Sequence, residues 1–230
     1  MVSTAISWDV RVDLAPSGTL RAAINLGNPV LARGSADDLR GITVDLAREL
    51  AARLGVPVAL SCWTAARDSF AALVDGRVDI GFLAVEPARE VELAFTSPYL
   101  VIDGVYVVPE ASAVRAPADV DRPGTRVGVK LGSAYDLFLS RTLERAEITR
   151  GDEGVDTYLG SGLEVGAGIR PPTTAWVAEH PGHRLVEPAF MQIRQAVGVR
   201  RDRSPEAVAW LRGTVAELVA SGWVEARVDR

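Results

Sequence analysis

Hydrophobic and polar positions along this chain follow two rhythms. Over residues 41–55, GITVDLARELAARLG, Ile42, Leu46, Leu50 and Leu54 recur every four residues with Ala47 beside them. That is the apolar stripe of an amphipathic helix, and Gly55 can end it in a left-handed cap. The rhythm returns after Ser204-Pro205, with Val208, Leu211, Val215 and Leu218 on one face and a stop at Ser221-Gly222-Trp223;. Residues 68–74 read as a further helix, stopped by Asp75-Gly76. Short apolar runs at 20–25, 56–62, 100–108 and 127–129 read as strands, and 78–85 has the continuous pattern of a strand buried on both faces;. Strands alternating with helices predict parallel pairing with helices on the sheet faces. Residues 1–17 read as a short amphipathic arm or helix, and 109–124 as loop with a brief helix near Pro117.

After the run at 78–85 the polarity changes abruptly to Glu86, Pro87 and Arg89. Pro87 suits a first helical turn, where its missing N–H is not needed. An arginine delivered to the carboxyl end of a strand can take a carboxylate bidentately. Spaced i,i+3, Glu86 and Arg89 can equally pair with each other. A second anion seat is predicted at Lys130-Leu131-Gly132-Ser133-Ala134, where Gly132 gives a tight turn and Ser133 can cap the next helix;. N–H groups of Gly132, Ser133 and Ala134 at that helix start suit an anion, although a capped helix without a ligand has the same pattern.

These motifs keep a familiar order. Gly76-Arg77-Val78-Asp79, Arg89, the tail Phe95-Thr96-Ser97-Pro98-Tyr99, the helix over 41–55, the turn at Gly132-Ser133 and the run 190–199 together resemble the bacterial extracellular solute-binding proteins of family 3, the polar amino-acid receptors of ABC importers. The resemblance runs from about Gly18 to Val224. It implies an α/β, two-lobed, type II periplasmic-binding-protein-like fold, with two mixed sheets flanked by helices and joined by two crossing strands. Lobe 1 would comprise 18–104 and 194–230, and lobe 2, inserted, 105–193. It also implies an interlobe cleft that closes on a small carboxylate-bearing ligand, lined by Asn25, Asn28, Ala84, Glu86, Arg89, Lys130, Gly132, Ser133, Ala134, Ser161 and Glu164.

The chain departs from the family pattern in three places. Asn25 and Asn28 stand where an acidic or aromatic residue is usual, and Asn-Pro is also a plain turn former. Gly81, Phe82, Ala84 and Glu86 stand where serine or threonine usually precedes the arginine. In the pattern x-D-A-x-x-x-D, begun at Asp156, the ammonium-binding acid falls on Ser161. An α-ammonium then needs Glu164 or Glu86 as its countercharge.

Composition narrows the picture further. The formal net charge of -5 and the lack of a basic stripe argue against nonspecific nucleic-acid binding;. One cysteine, Cys62, excludes an internal disulfide. His180 and His183 form H-x-x-H with no carboxylate or cysteine cluster beside them, so no metal is expected, and no motif asks for a cofactor. Lysine and arginine total 25, and Lys130 is the sole lysine, a place where a guanidinium would not serve or a chance survivor;. The first 16 residues lack a basic n-region and a long apolar run, so a cytoplasmic location is expected, or a periplasmic one if a leader was trimmed. An ABC permease is a partner only if the protein is exported. No stretch is apolar enough for membrane insertion, and nothing indicates an oligomeric state.

Three function classes remain. Two lobes closing on a carboxylate would make a binding protein. The same cleft could host a lyase or dehydratase using Lys130 and Glu164, with Glu86, as acid and base, since a fold alone does not decide function. A regulator that has lost its ligand is the third.

Overall fold

The computed structural model describes residues 8–35 and 38–228. The chain divides into two compact units, Met1–Leu100 with Gln195–Arg230, and Val101–Arg194. In chain order the first unit contains α1 (Trp8–Leu14), β1 (Leu20–Asn25), α2 (Ile42–Leu54), β2 (Val58–Trp63), α3 (Ala66–Val74), β3 (Ile80–Ala84), α4 (Pro87–Glu90) and β4 (Leu93–Phe95). The chain leaves it along β5 (Leu100–Pro109), and the second unit continues with β6 (Arg126–Lys130), α5 (Ala134–Thr142), β7 (Glu147–Gly151), α6 (Gly154–Gly160), β8 (Val165–Ile169) and α7 (Arg170–Glu179). It returns along the 18-residue strand β9 (His183–Arg200) and ends in α8 (Pro205–Ala220). The return strand β9 thus contributes to both units, while β5 starts at the boundary between them.

In the first unit β1 pairs in parallel with β2 and β3, while β9 runs antiparallel to β3 and carries β4 on its far side. This pairing brings the carboxyl ends of three strands, Asn25, Trp63 and Ala84, to one edge. Antiparallel register then sets Gln195 opposite Ala84 at that same edge. One face of the sheet is packed by α3, with Leu73, Leu83, Leu93 and Phe95 in a common cluster. Helix α2 buries its predicted stripe of Ile42, Leu46, Leu50 and Leu54, and also Thr43, Val44, Ala47 and Ala51. Gly55 ends it at φ 69, as the sequence suggests;.

The arm is part of this unit from residue 8 onward; residues 1–7 lie outside the described structure. Val10, Leu14 and Ala15 are buried. Asp13 accepts the Ser204 N–H at 2.7 Å and is approached by Arg203.

In the second unit β6 lies parallel to both β7 and β8, β8 runs antiparallel to β5, and β5 borders the first half of β9. Lys130, Gly151 and Ile169 therefore end their strands at one edge. Residues 155–164, read from the sequence as a cleft segment, are mostly helix α6. It sits hard against the sheet: a Cβ on Gly154 would stand 2.1 Å from the Ala167 carbonyl oxygen, and one on Gly128 would stand 2.8 Å from that of Gly154.

Candidate functional site

Ligands of open parallel sheets sit beyond the carboxyl ends of the strands. At that edge of the first unit, β3 gives way to the single-turn helix α4, with Pro87 at its first position. The turn folds Arg89 back, so that its Nη1 donates to the Ala84 carbonyl at 3.1 Å and its backbone N–H to the Glu86 carbonyl at 2.8 Å. Arg89 is only 3% exposed and Glu86 only 4%. Burial pushes the Arg89 guanidinium down to about 10, against the opposing pull of the Glu86 charge;. Glu86 precedes the helix in extended conformation and its side chain does not cap it. Both members of the i,i+3 pair weighed from the sequence are thus inside, and the Glu86 charge acts on the Arg89 guanidinium.

Asn25, the last residue of β1, and Asn28, in the loop that follows, are both buried. Asn25 Oδ1 accepts the Gly27 N–H at 3.0 Å, and Asn28 Oδ1 accepts the Val30 N–H at 3.1 Å. Their side-chain oxygens thus build turns, as the plain turn reading expects. Two residues at this edge were not among the expected ligand contacts. Gln195 is buried opposite Ala84, and its carbonyl accepts the Tyr99 N–H at 2.9 Å. The Tyr99 hydroxyl is buried with no hydrogen-bond partner among the described residues, and burial pushes its pKa well up. Its ring meets Phe82 edge-on at 6.2 Å. An amide directly before the apolar stretch 196–199 was the signal for Gln195.

In the second unit Lys130 is buried at the end of β6 and forms an ion pair with Glu153 at the start of α6. The following turn is closed from within. Gly132, at φ 69, donates its N–H to Asp136 Oδ2 at 2.8 Å, and Ser133 donates its N–H to the Lys130 carbonyl at 3.1 Å. Ser133 Oγ in turn accepts the Asp136 N–H at 3.1 Å, and Arg150 holds Asp136 at 2.9 Å. Two of the three predicted anion-binding amides are therefore engaged inside the turn. Ala134, buried as the first residue of α5, is the third.

Glu164 and Ser161 do not join this group. Ser161 is the exposed cap of α6, its N–H donated to the Thr157 carbonyl at 3.1 Å. Glu164 precedes β8 and grips the residue that opens β6: Oε2 accepts the Arg126 backbone N–H at 2.8 Å, and Oε1 accepts Nη2 at 2.8 Å. That guanidinium draws the Glu164 carboxyl down to about 2. Lys130 lies at the other end of the same strand, roughly 13 Å away at the usual rise. Glu164 is thus neither the base nor acid of a Lys130 pair nor a countercharge at the carboxyl edge. The pattern begun at Asp156 misled because Asp156 lies inside α6. Counted from Glu164 instead, the same interval reaches Ile169, followed by Arg170. Asp103 holds Arg170 at 3.0 Å, and Glu187 holds it at 2.6 and 2.9 Å.

The two histidines gather round Trp176, His180 stacked at 3.9 Å and His183 edge-on at 5.0 Å. Among the described residues no three His, Cys, Asp or Glu side chains cluster as a metal site would require. No helix among them is long and apolar enough to cross a membrane.

Residues 20–230 match the family model described as bacterial extracellular solute-binding proteins, family 3. No curated protein matches the sequence. Among solved structures, the chain is similar to a mutant of ArgBP from T. maritima, with 21% identity, a TM-score of 0.75 and coverage of 94% of this chain and 96% of that one. It is similar to the amino acid ABC transporter substrate-binding protein AbpA from Streptococcus pneumoniae bound to L-arginine, with 18% identity, a TM-score of 0.76 and coverage of 94% and 95%. A third likeness is to an ancestral amino acid-binding protein described as a precursor of cyclohexadienyl dehydratase, with 20% identity, a TM-score of 0.75 and coverage of 95% and 96%. At such identities the likeness is one of fold, the two-lobed α/β type II periplasmic-binding-protein-like fold.

Proposed function

We propose that this protein, which belongs to the bacterial extracellular solute-binding proteins of family 3, binds a small amino-acid-like solute whose carboxylate sits on Arg89. The observation that carries this reading is a guanidinium 3% exposed at the carboxyl edge of a parallel sheet. A carboxylate fits the guanidinium fork bidentately, and shielding from water strengthens such a contact. Two of the similar structures are named for amino-acid or arginine binding, which supports that ligand class. On the second unit Lys130 and the Ala134 amide keep the character of an anion seat. The lyase alternative needs Lys130 beside Glu164, and that pair is not assembled. The partner this reading implies is the membrane permease of an ABC transporter, engaged only where the protein is exported.

Titration calorimetry against the common L-amino acids tests it. Truncating one partner of a buried charge-assisted contact costs about 2–5 kcal/mol. Arg89→Ala is therefore expected to raise Kd by about 30-fold or more while the protein still unfolds cooperatively. An amino acid bound equally well by wild type and Arg89→Ala would overturn the assignment.

A further inference from the structure

A carboxylate seated on Arg89 has more acceptor sites than one guanidinium fills, and each needs a donor once water is shut out. The strand beside the arginine holds one.

Gln195 is 5% exposed, and Ile193, Ala196 and Val197 around it in β9 are buried apolar residues. The strand register sets it directly opposite Ala84, the last residue of β3 before the chain turns into α4. Residues so opposed carry their side chains on one face of the sheet, with Cβ atoms about 4.5–5.5 Å apart. Ala84 is also the residue whose carbonyl accepts Arg89 Nη1 at 3.1 Å, so the amide and the guanidinium flank the same residue. The Tyr99 N–H pins the Gln195 backbone carbonyl at 2.9 Å, yet the Gln195 side-chain amide has no hydrogen-bond partner among the described residues. A second unpaired group lies close by. It is the buried Tyr99 hydroxyl, whose ring meets Phe82, two residues before Ala84 and on the same face of β3;. Buried polar groups are nearly always paired, and those that a chain leaves unpaired mark the place of a ligand or a bound water.

We propose that Gln195 is a ligand-contacting residue of this site, its Nε2–H donating to the solute carboxylate that sits on Arg89. The anion is then shared between a guanidinium and a neutral amide, both on the first unit. The inference rests on the carboxylate reading of Arg89 and adds a contact that selects for that group. A neutral donor strengthens the seat without burying a further cation. A carboxylate at position 195 would instead set like charges face to face.

The probe is the amino acid that binds wild type most tightly in the calorimetry above. Gln195→Met keeps a side chain of similar length and removes the donor. It is expected to raise Kd by about 10-fold or more, the worth of a hydrogen bond to a charged group, while unfolding stays cooperative. Gln195→Glu should bind weakly at neutral pH and recover as the pH falls and the new carboxyl takes up a proton, a profile that wild type lacks. Unchanged affinity in Gln195→Met would mean that the amide meets water alone, and it overturns the proposal. So does a Gln195→Glu whose pH profile follows that of wild type.

A further readout needs only wild type. The chain has two glutamines, Gln192 and Gln195, so protein labelled with nitrogen-15 glutamine shows two side-chain amides. The Gln195 amide, identified by its loss in the variants, should shift when the amino acid is added, and an unmoved signal overturns the proposal. Wild type that binds no amino acid overturns the receptor reading, and this inference with it. Binding lost in Arg89→Ala but kept in Gln195→Met overturns this inference alone.

Discussion

In the first unit Asp79 follows a helix, a glycine at φ 71 and the buried Val78; in the second, Glu164 follows a helix, a glycine at φ 58 and the buried Leu163. Each acid then accepts the backbone N–H and the guanidinium of an arginine within the first two residues of the neighbouring parallel strand, Arg21 for Asp79 and Arg126 for Glu164. The two clamps set the register of β1 on β3 and of β6 on β8 by the same chemistry. They differ in depth. The Asp79 side chain is 0% exposed and takes a second arginine, Arg203, whereas Glu164 is 44% exposed and holds Arg126. One arrangement of atoms is therefore worth different amounts in two places, because water screens the outer copy and not the inner one. The carboxyl edges repeat the contrast. The first unit buries both Glu86 and Arg89, while the second buries Lys130 against a half-exposed Glu153.

The sharpest way to break the comparison is Asp79→Asn. It leaves Arg21 and Arg203 facing a neutral amide inside the protein, and losing one partner of a buried pair costs about 3–5 kcal/mol. Urea unfolding should show a markedly lower midpoint. A change as small as that expected for an exposed pair would mean that depth does not set the worth of the clamp.

Next in size is Gly154→Ala, which tests whether the second unit depends on close backbone packing instead of buried charge. The new Cβ would meet the Ala167 carbonyl oxygen at 2.1 Å, so α6 must move off the sheet. Overpacking of this kind costs about 1–3 kcal/mol. Thermal unfolding checks it, and an unchanged midpoint would show that α6 shifts freely.

Much of the first unit was legible because its signals are local. The stripe of α2, the Pro87 turn, the Ser204-Pro205 start of α8 and the G-x-x-D step at Gly76–Asp79 each declare themselves within a few residues. The second unit was harder to read. Its acidic clamp is a residue shorter, Gly162-Leu163-Glu164, and uses glutamate, so it did not look like the first. The x-D-A-x-x-x-D spacing was then started at Asp156, inside a helix. Gly166 and Gly168 weaken the strand signal of β8, and they are there because Tyr158 and Thr173 pack where a side chain would stand. At the candidate site Arg89 and Glu86 were visible as residues, but their burial was not. Burial depends on β9 returning from more than a hundred residues away, and no local pattern carries that. Gln195 and Tyr99 were not taken as site residues for the same reason.

A smaller effect is expected at the caps. Ser133 and Ser204 each accept an N–H of the first helical turn, at 3.1 Å from Asp136 and 3.2 Å from Ala207. Replacing either by alanine should cost about 1 kcal/mol. If Ser133→Ala costs clearly more, the turn that includes Gly132 and Asp136 acts as one unit, and a double-mutant cycle with Asp136→Asn would show the coupling.

The smallest effect at neutral pH, and the most diagnostic, belongs to Glu164→Gln. The Arg126 guanidinium holds the folded-state carboxyl down to about 2, below its ordinary value near 4.5. A depressed acid stabilises the fold above its unfolded-state pKa, and the stabilisation fades as pH falls towards the folded-state value. The difference between wild type and Glu164→Gln should therefore be constant from neutrality down to about pH 4.5 and shrink from there towards about pH 2. Because the pair is exposed, added salt should shrink it as well. Denaturation midpoints measured along that pH series decide the matter. A difference that persists at low pH would mean that the clamp works through its hydrogen-bond geometry, which glutamine partly keeps. The depth argument would then hold for Asp79 alone.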